Sequence, residues 1–151
     1  MPDREAIERA RRDKRQGKSA STQAGEFIRE EIHHIREGKH GARSAKQAIA
    51  IGLSEARRAG VDLPPPRKGS VSEKTRKSAQ REHARGREAS HHETSSKRSQ
   101  ATLGALKREG HRAASHTALS RQAHSAASRR TAGERSASAQ KAARTRAARS
   151  S

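Results

Sequence analysis

Nine histidines stand in this chain, and five fall in tight groups: His33, His34 and His40, then His91 and His92. Imidazole ligates divalent metals and moves protons near neutral pH, so these groups are the first place to look for chemistry. Adjacent helical histidines point about 100° apart, however, and an i,i+4 pair that would bring two imidazoles to one ion is missing from the groups. The spacing predicts histidines that face solvent or nucleic acid, with no metal and no other cofactor. Ser, His, Asp and Glu are plentiful, yet there is no nucleophile elbow, phosphate-cradling P-loop or paired-carboxylate frame. No enzyme is expected.

The second constellation is cationic. Lys39, Arg43 and Lys46, with His40 among them, gather at a Gly38-Lys39-His40-Gly41 turn and at the start of a predicted helix. Backbone N–H groups and the helix dipole favour an anion at such an end, so these three cations are read as the phosphate anchor of the first half of the chain.

Charge is distributed unevenly around that anchor. Residues 1–66 hold 14 Lys/Arg against 10 Asp/Glu, and residues 67–151 hold 21 against 6, so the second stretch carries most of the formal net charge of +19. Twelve of the fifteen large apolar residues lie in the first 71 positions; only Leu103, Leu106 and Leu119 lie beyond. A long basic segment with so little to bury is expected to stay mobile until a polyanion neutralises it. Arg outnumbers Lys 25 to 10, and Arg can hold phosphate with two parallel hydrogen bonds. Arg129, Arg130, Arg144, Arg146 and Arg149 are the candidate phosphate contacts of this segment. Phe27 is the only aromatic residue, which argues against base stacking on single strands.

The elements that must position these residues are helices. Residues 3–15 have high helix propensity but only Ile7 as a large apolar side chain, so a helix there is expected to fray. Ala24, Ile28, Ile32 and Ile35 recur at helical spacing, with Phe27 at the edge of the stripe, and predict a helix over 23–37 ending at Gly38. Ser44-Ala45-Lys46-Gln47 reads as a capping box opening a helix over 45–59, closed by Gly60. Ala45, Ile49, Leu53 and Ala56 share one face of that helix, so Ile49 and Leu53 are expected opposite Ile28, Ile32 and Ile35 in an αα-hairpin. Pro64, Pro65 and Pro66 then end the hairpin as an extended strut.

The fold class read from sequence is therefore mostly α: a small helical hairpin followed by a largely disordered or conditionally helical basic tail. Its parts are a polar segment at 1–22, the hairpin at 23–60, the Pro-rich strut at 61–66 and the Arg/Ala/Ser-rich tail at 67–151. Within the tail, residues 67–98 read as disordered and 102–109 as a short helix.

The stretch from Glu26 to Ala56, and within it Gly38-Lys39-His40-Gly41 followed by Ser44-x-Lys46-Gln47-Ala48-Ile49-Ala50-Ile51, resembles a family of small basic bacterial proteins of unknown function. That resemblance implies a bacterial source. The tail resembles the basic tails of linker-histone-like proteins, differing in its preference for Arg over Lys and its lack of Pro-Ala-Lys-Lys blocks.

Nucleic acid is the expected partner, DNA ahead of RNA, bound without sequence preference in the nucleoid. Self-association or a protein partner through the hairpin is a further expectation. The alternative is a protein-interaction module whose basic tail adds affinity for RNA, ribosomes or acidic surfaces. The chain has no apolar run long enough to span a bilayer, and the charged start after Met1 lacks the apolar core of a secretion signal, so no membrane partner and a cytoplasmic location are expected.

Overall fold

A computed structural model describes residues 2–88 and 95–150. These residues form α1 (Arg4–Arg15), α2 (Ala20–Arg36), α3 (Ala45–Arg58), α4 (Glu73–Arg87), α5 (Ser96–Lys107), a 3₁₀ turn (Arg112–Ala114), α6 (His116–Ser128) and α7 (Ala132–Arg149). The chain divides into two units, Met1–Ser115 and His116–Ser151.

Local signals explain most helix boundaries in the first unit. Side chains of Asp3, Ser19, Ser44 and Ser72 each accept a hydrogen bond from a backbone N–H in the first turn of α1, α2, α3 and α4. At the other ends, Gly17, Gly38 and Gly60 take positive φ (70°, 76° and 92°). At Gly38 the closure is complete: its N–H bonds Ile35 O at 3.1 Å and the next N–H, from Lys39, bonds His34 O at 3.0 Å. This pattern uses carbonyls that the helix leaves orphaned, and it turns the chain back over the last turn of α2.

α1 packs on α2, α2 on α3 and α3 on α4. The core between the first three helices comprises Ala6, Ala10, Ala24, Phe27, Ala56 and Val61, with Ile7, Leu53 and Leu63 against it. Arg9 reinforces the α1 contact, donating to Glu26 Oε2 and Glu30 Oε2 at 2.7 Å each. The segment expected to fray is thus held by an alanine face and a forked ion pair, neither of which needs a large apolar stripe.

A second cluster of Ile35, Ala42, Ala48, Ala113 and Ala114 closes the far end of the α2/α3 pair, with Ile32 beside it. The 3₁₀ turn supplies two of these alanines, and Arg36 Nε donates to Ala114 O at 2.9 Å. Gly41 N–H bonds Leu106 O at 2.9 Å, and Ala42 N–H bonds Gly110 O at 3.1 Å, so the end of α5 is stitched to the α2–α3 turn.

The hairpin is present, but its seam is not the predicted one. α3 buries Ala45, Ala48, Gly52 and Ala56, while Ile49 and Leu53 are only half-buried. A Cβ at Gly52 would lie 2.7 Å from Ile28 Cα, so the two backbones meet there directly. Phe27, read as an edge residue, is the centre of the core at 1% exposure. Small residues on α3 let α2 come close enough for the ring to be enclosed.

The largest correction concerns the tail. The expectation of a hairpin followed by a disordered or conditionally helical tail is overturned, because the described residues from 73 onward are predominantly helical. α4, in the stretch read as disordered, packs on α3, buries Ala79 and brings Gly86 against the end of α3. A Cβ at Gly86 would lie 1.8 Å from Arg57 O, a contact open only to glycine. Arg57 in turn donates to Leu63 O at 3.2 Å and Pro64 O at 3.3 Å, fastening the proline segment to α3.

The second unit consists of α6 and α7. Thr131 and Glu134 form a full capping box at the start of α7, and Arg135 Nη1 donates to Arg130 O at 2.6 Å across the turn. Every residue of α7 is exposed. Its helicity follows from caps and alanine content rather than from a core.

Candidate functional site

Two groupings of polar side chains stand out, one buried at the α2–α3 turn and one spread over exposed helix faces. The buried grouping begins with Glu31, whose side chain is only 2% exposed. His34 follows three residues later on α2, close to the same face. His40 arrives from the turn, since the Gly38 closure returns the chain over α2. His40 Nε2 lies 3.5 Å from Glu31 Oε2, and the rings of His34 and His40 meet edge to face with centroids 6.3 Å apart.

The ligand atoms of Glu31, His34 and His40 all lie within 4.8 Å of one another. A carbonyl can only accept, so the 3.0 Å contact between His40 Nδ1 and Gly41 O places a hydrogen on Nδ1 and directs Nε2 at the carboxylate. Glu31 Oε1 is buried without a hydrogen-bond partner among the described residues. His34 Nε2 sits 3.2 Å from Glu30 Oε1 and 3.9 Å from Asp3 Oδ2, which ties the grouping to α1.

Burial pushes the Glu31 carboxyl up to about 7, with the Glu55 charge adding to the rise and His40 opposing it. Glu55 on α3 is also raised by burial, an effect that Arg58, His34 and His40 reduce. Two desolvated carboxyls therefore share the neighbourhood of two imidazoles. Sequence reasoning missed this grouping because it compared histidines only with each other. The readable signal was Glu31-x-x-His34 followed by a glycine-closed turn that brings His40 back.

The exposed grouping includes the predicted phosphate contacts. Lys39, Arg43 and Lys46 are exposed around the start of α3. Lys39 Nζ pairs with Glu37 Oε2 at 3.1 Å, and the hydrogen bond and charge of Lys39 hold the Glu37 carboxyl below its usual range. Four backbone donors near this end are engaged: Gly41 by Leu106 O in the last turn of α5, Ala42 by Gly110 O, Arg43 by Gln47 Oε1 at 2.7 Å, and Gln47 by Ser44 Oγ at 3.1 Å.

Arg129 and Arg130 lie at the α6–α7 turn, and both are exposed. Arg129 Nη2 reaches Ser125 Oγ at 3.5 Å, while Arg130 Nη2 bonds Glu134 O at 2.9 Å and also Ser138 Oγ. Arg144, Arg146 and Arg149 are exposed on α7. At 3.6 residues per turn Arg146 and Arg149 share a side with Arg135, and Arg144 lies on the opposite side with Lys141. The structure thus brings Lys39, Arg43 and Lys46 to one end of α3, and the five arginines to the second unit.

A further cationic row was not anticipated. Lys74, Lys77, Arg81 and Arg85 are spaced by three, four and four residues along α4, so they form one stripe, and all four are exposed. The buried residue of that helix, Ala79, lies on another side. The periodicity was present in the sequence, but it carries meaning only once 73–87 is a helix.

Among the described residues no helix is long and apolar enough to cross a membrane. His91 and His92 lie outside the described residues. No curated protein and no solved structure matches the chain. Residues 11–68, from the middle of α1 through α2 and α3 to the end of the proline segment, match a family of unknown function (DUF6496).

Proposed function

We propose that this protein binds nucleic acid through phosphates without reading sequence, as a component of the bacterial nucleoid, and that it is a binding protein rather than an enzyme. The observation that carries this reading is the exposed stripe of Lys74, Lys77, Arg81 and Arg85 on a helix braced against α3. A preformed helix holds its cations in register, so fewer degrees of freedom are lost on binding than for a disordered tail. Arg129, Arg130, Arg144, Arg146 and Arg149 are further exposed cations of the second unit, and Lys39, Arg43 and Lys46 are further ones of the first, near α3. Duplex DNA is favoured over single strands because Phe27, the one aromatic residue, is buried and no stacking platform is available.

Anisotropy titrations of the full chain against duplex DNA across a salt series test the proposal. Each phosphate that is no longer neutralised should lower the log–log salt slope by about 0.9, so replacing the four α4 cations with Gln should lower it by about 3 to 4 and weaken binding alike on unrelated sequences. A flat salt response in the wild type, or affinity unchanged by the fourfold variant, overturns the reading.

A further inference from the structure

The Glu31, His34 and His40 grouping has no task in a phosphate-binding surface. Glu31 and His40 are buried and His34 is half-buried; the grouping combines two imidazoles with one carboxylate, and it includes a buried carboxylate oxygen without a partner among the described residues. Leaving such an atom desolvated is costly, and a carboxylate facing an imidazole nitrogen is stabilised by a cation between them.

We infer that Glu31, His34 and His40 form a binding site for a divalent first-row transition metal ion of the zinc type, closed by the α2–α3 turn. Ligand chemistry selects the ion. Two imidazoles and one carboxylate suit Zn2+ and its neighbours, whereas Mg2+ and Ca2+ take sets of oxygen ligands. One ligand pair already has the spacing an ion requires: metal–ligand distances of about 2.0–2.2 Å in a tetrahedron place neighbouring ligand atoms about 3.4 Å apart. Glu31 Oε2 and His40 Nε2 stand 3.5 Å apart. The outer shell is also in place, because a ligating imidazole is normally oriented by a hydrogen bond from its other nitrogen, and His40 Nδ1 makes that bond to Gly41 O. Three protein ligands leave one coordination position for water or an exogenous group.

Position in the fold gives the ion a structural consequence. Glu31 and His34 belong to α2 and His40 to the turn, so one ion would cross-link the helix to the segment that leads into α3.

Calorimetric titration of the full chain with Zn2+ near neutral pH should show one tight equivalent, accompanied by a rise in melting temperature. Glu31→Gln and His40→Gln should each weaken that equivalent at least tenfold and abolish the thermal shift, whereas replacing exposed His116 and His124 together with Gln should leave both unchanged. Zn2+ X-ray absorption on the wild-type chain provides a readout independent of variant folding. A shell of two imidazoles with carboxylate oxygen supports the site, and a shell of three or more imidazoles overturns it. Absence of a tight equivalent, or an equivalent that persists undiminished in folded Glu31→Gln and His40→Gln, also overturns it.

Discussion

Helices α1 and α7 are both rich in arginine and alanine and carry at most one large apolar residue, yet α1 is docked and α7 is exposed along its whole length. Alanine rows do not explain the difference. α1 presents Ala6 and Ala10, and α7 has Ala139, Ala143 and Ala147 at the same helical spacing. What α1 has in addition is a specific address: Phe27 of α2 in the same core cluster, and Arg9 held between Glu26 and Glu30. An alanine face permits close approach, but a partner ring and matched charges make the approach favourable. Helix formation and helix docking are therefore separable in this protein, the former set by caps and propensity, the latter by what lies across the gap.

The strongest test of that separation is Phe27→Ala. Removing a fully buried ring should cost about 3–5 kcal/mol, loosening α1 and α2 together. Hydrogen exchange should show reduced protection over 4–36 while 132–149 keeps its wild-type pattern. An equal reduction in α7 would mean that the two helices share a source of stability.

Gly86→Ala should act next most strongly. The added methyl would collide with Arg57 O, and overpacking of this kind costs about 1–3 kcal/mol. The expected outcome is a lower urea midpoint and early exchange across 73–87, converting α4 from a docked helix to one resembling α7.

Arg9→Met keeps the length of the side chain but removes the ion pairs to Glu26 and Glu30, together with a more exposed one to Glu5. Because Arg9 is partly exposed, solvent screening limits the loss to about 1 kcal/mol, and high salt should shrink the difference from wild type. On the α7 side, Thr131→Ala removes the capping box at a cost of about 1 kcal/mol at most. It should reduce helical circular dichroism from the second unit without moving the melting of the first.

The smallest effect concerns Asp62, whose carboxyl is held below its usual range by a 2.7 Å hydrogen bond to His83 Nε2 on α4. A depressed carboxyl contributes stability above its unfolded pKa, and that contribution disappears as pH falls through the folded value. Asp62→Asn should therefore lower stability slightly at pH 7, and the difference should shrink as pH falls below the ordinary carboxylate range and vanish once the folded-state carboxyl is protonated. A difference that grows on acidification would show that the pair does not brace α4.

The helix boundaries were legible because their causes are local. Ser44 and Gly60 bracket α3 within a residue of the predicted span, and Gly38 ends α2 as read. The charge imbalance, and with it the cationic candidates, is a property of composition alone. What remained hidden depends on groups far apart in the chain. Gly41 does not use positive φ; it matters because Glu109 O would lie 2.1 Å from a Cβ there. Gly52 and Gly86 likewise mark approaches to backbone in α2 and at the end of α3. The Glu31, His34 and His40 grouping exists because a turn closes back on a helix, and the α4 stripe because a polar segment found a docking face. Caps and turns are written in neighbouring residues and survive translation into structure, whereas burial is settled only when two backbones come close enough for small side chains and unpaired polar atoms to count.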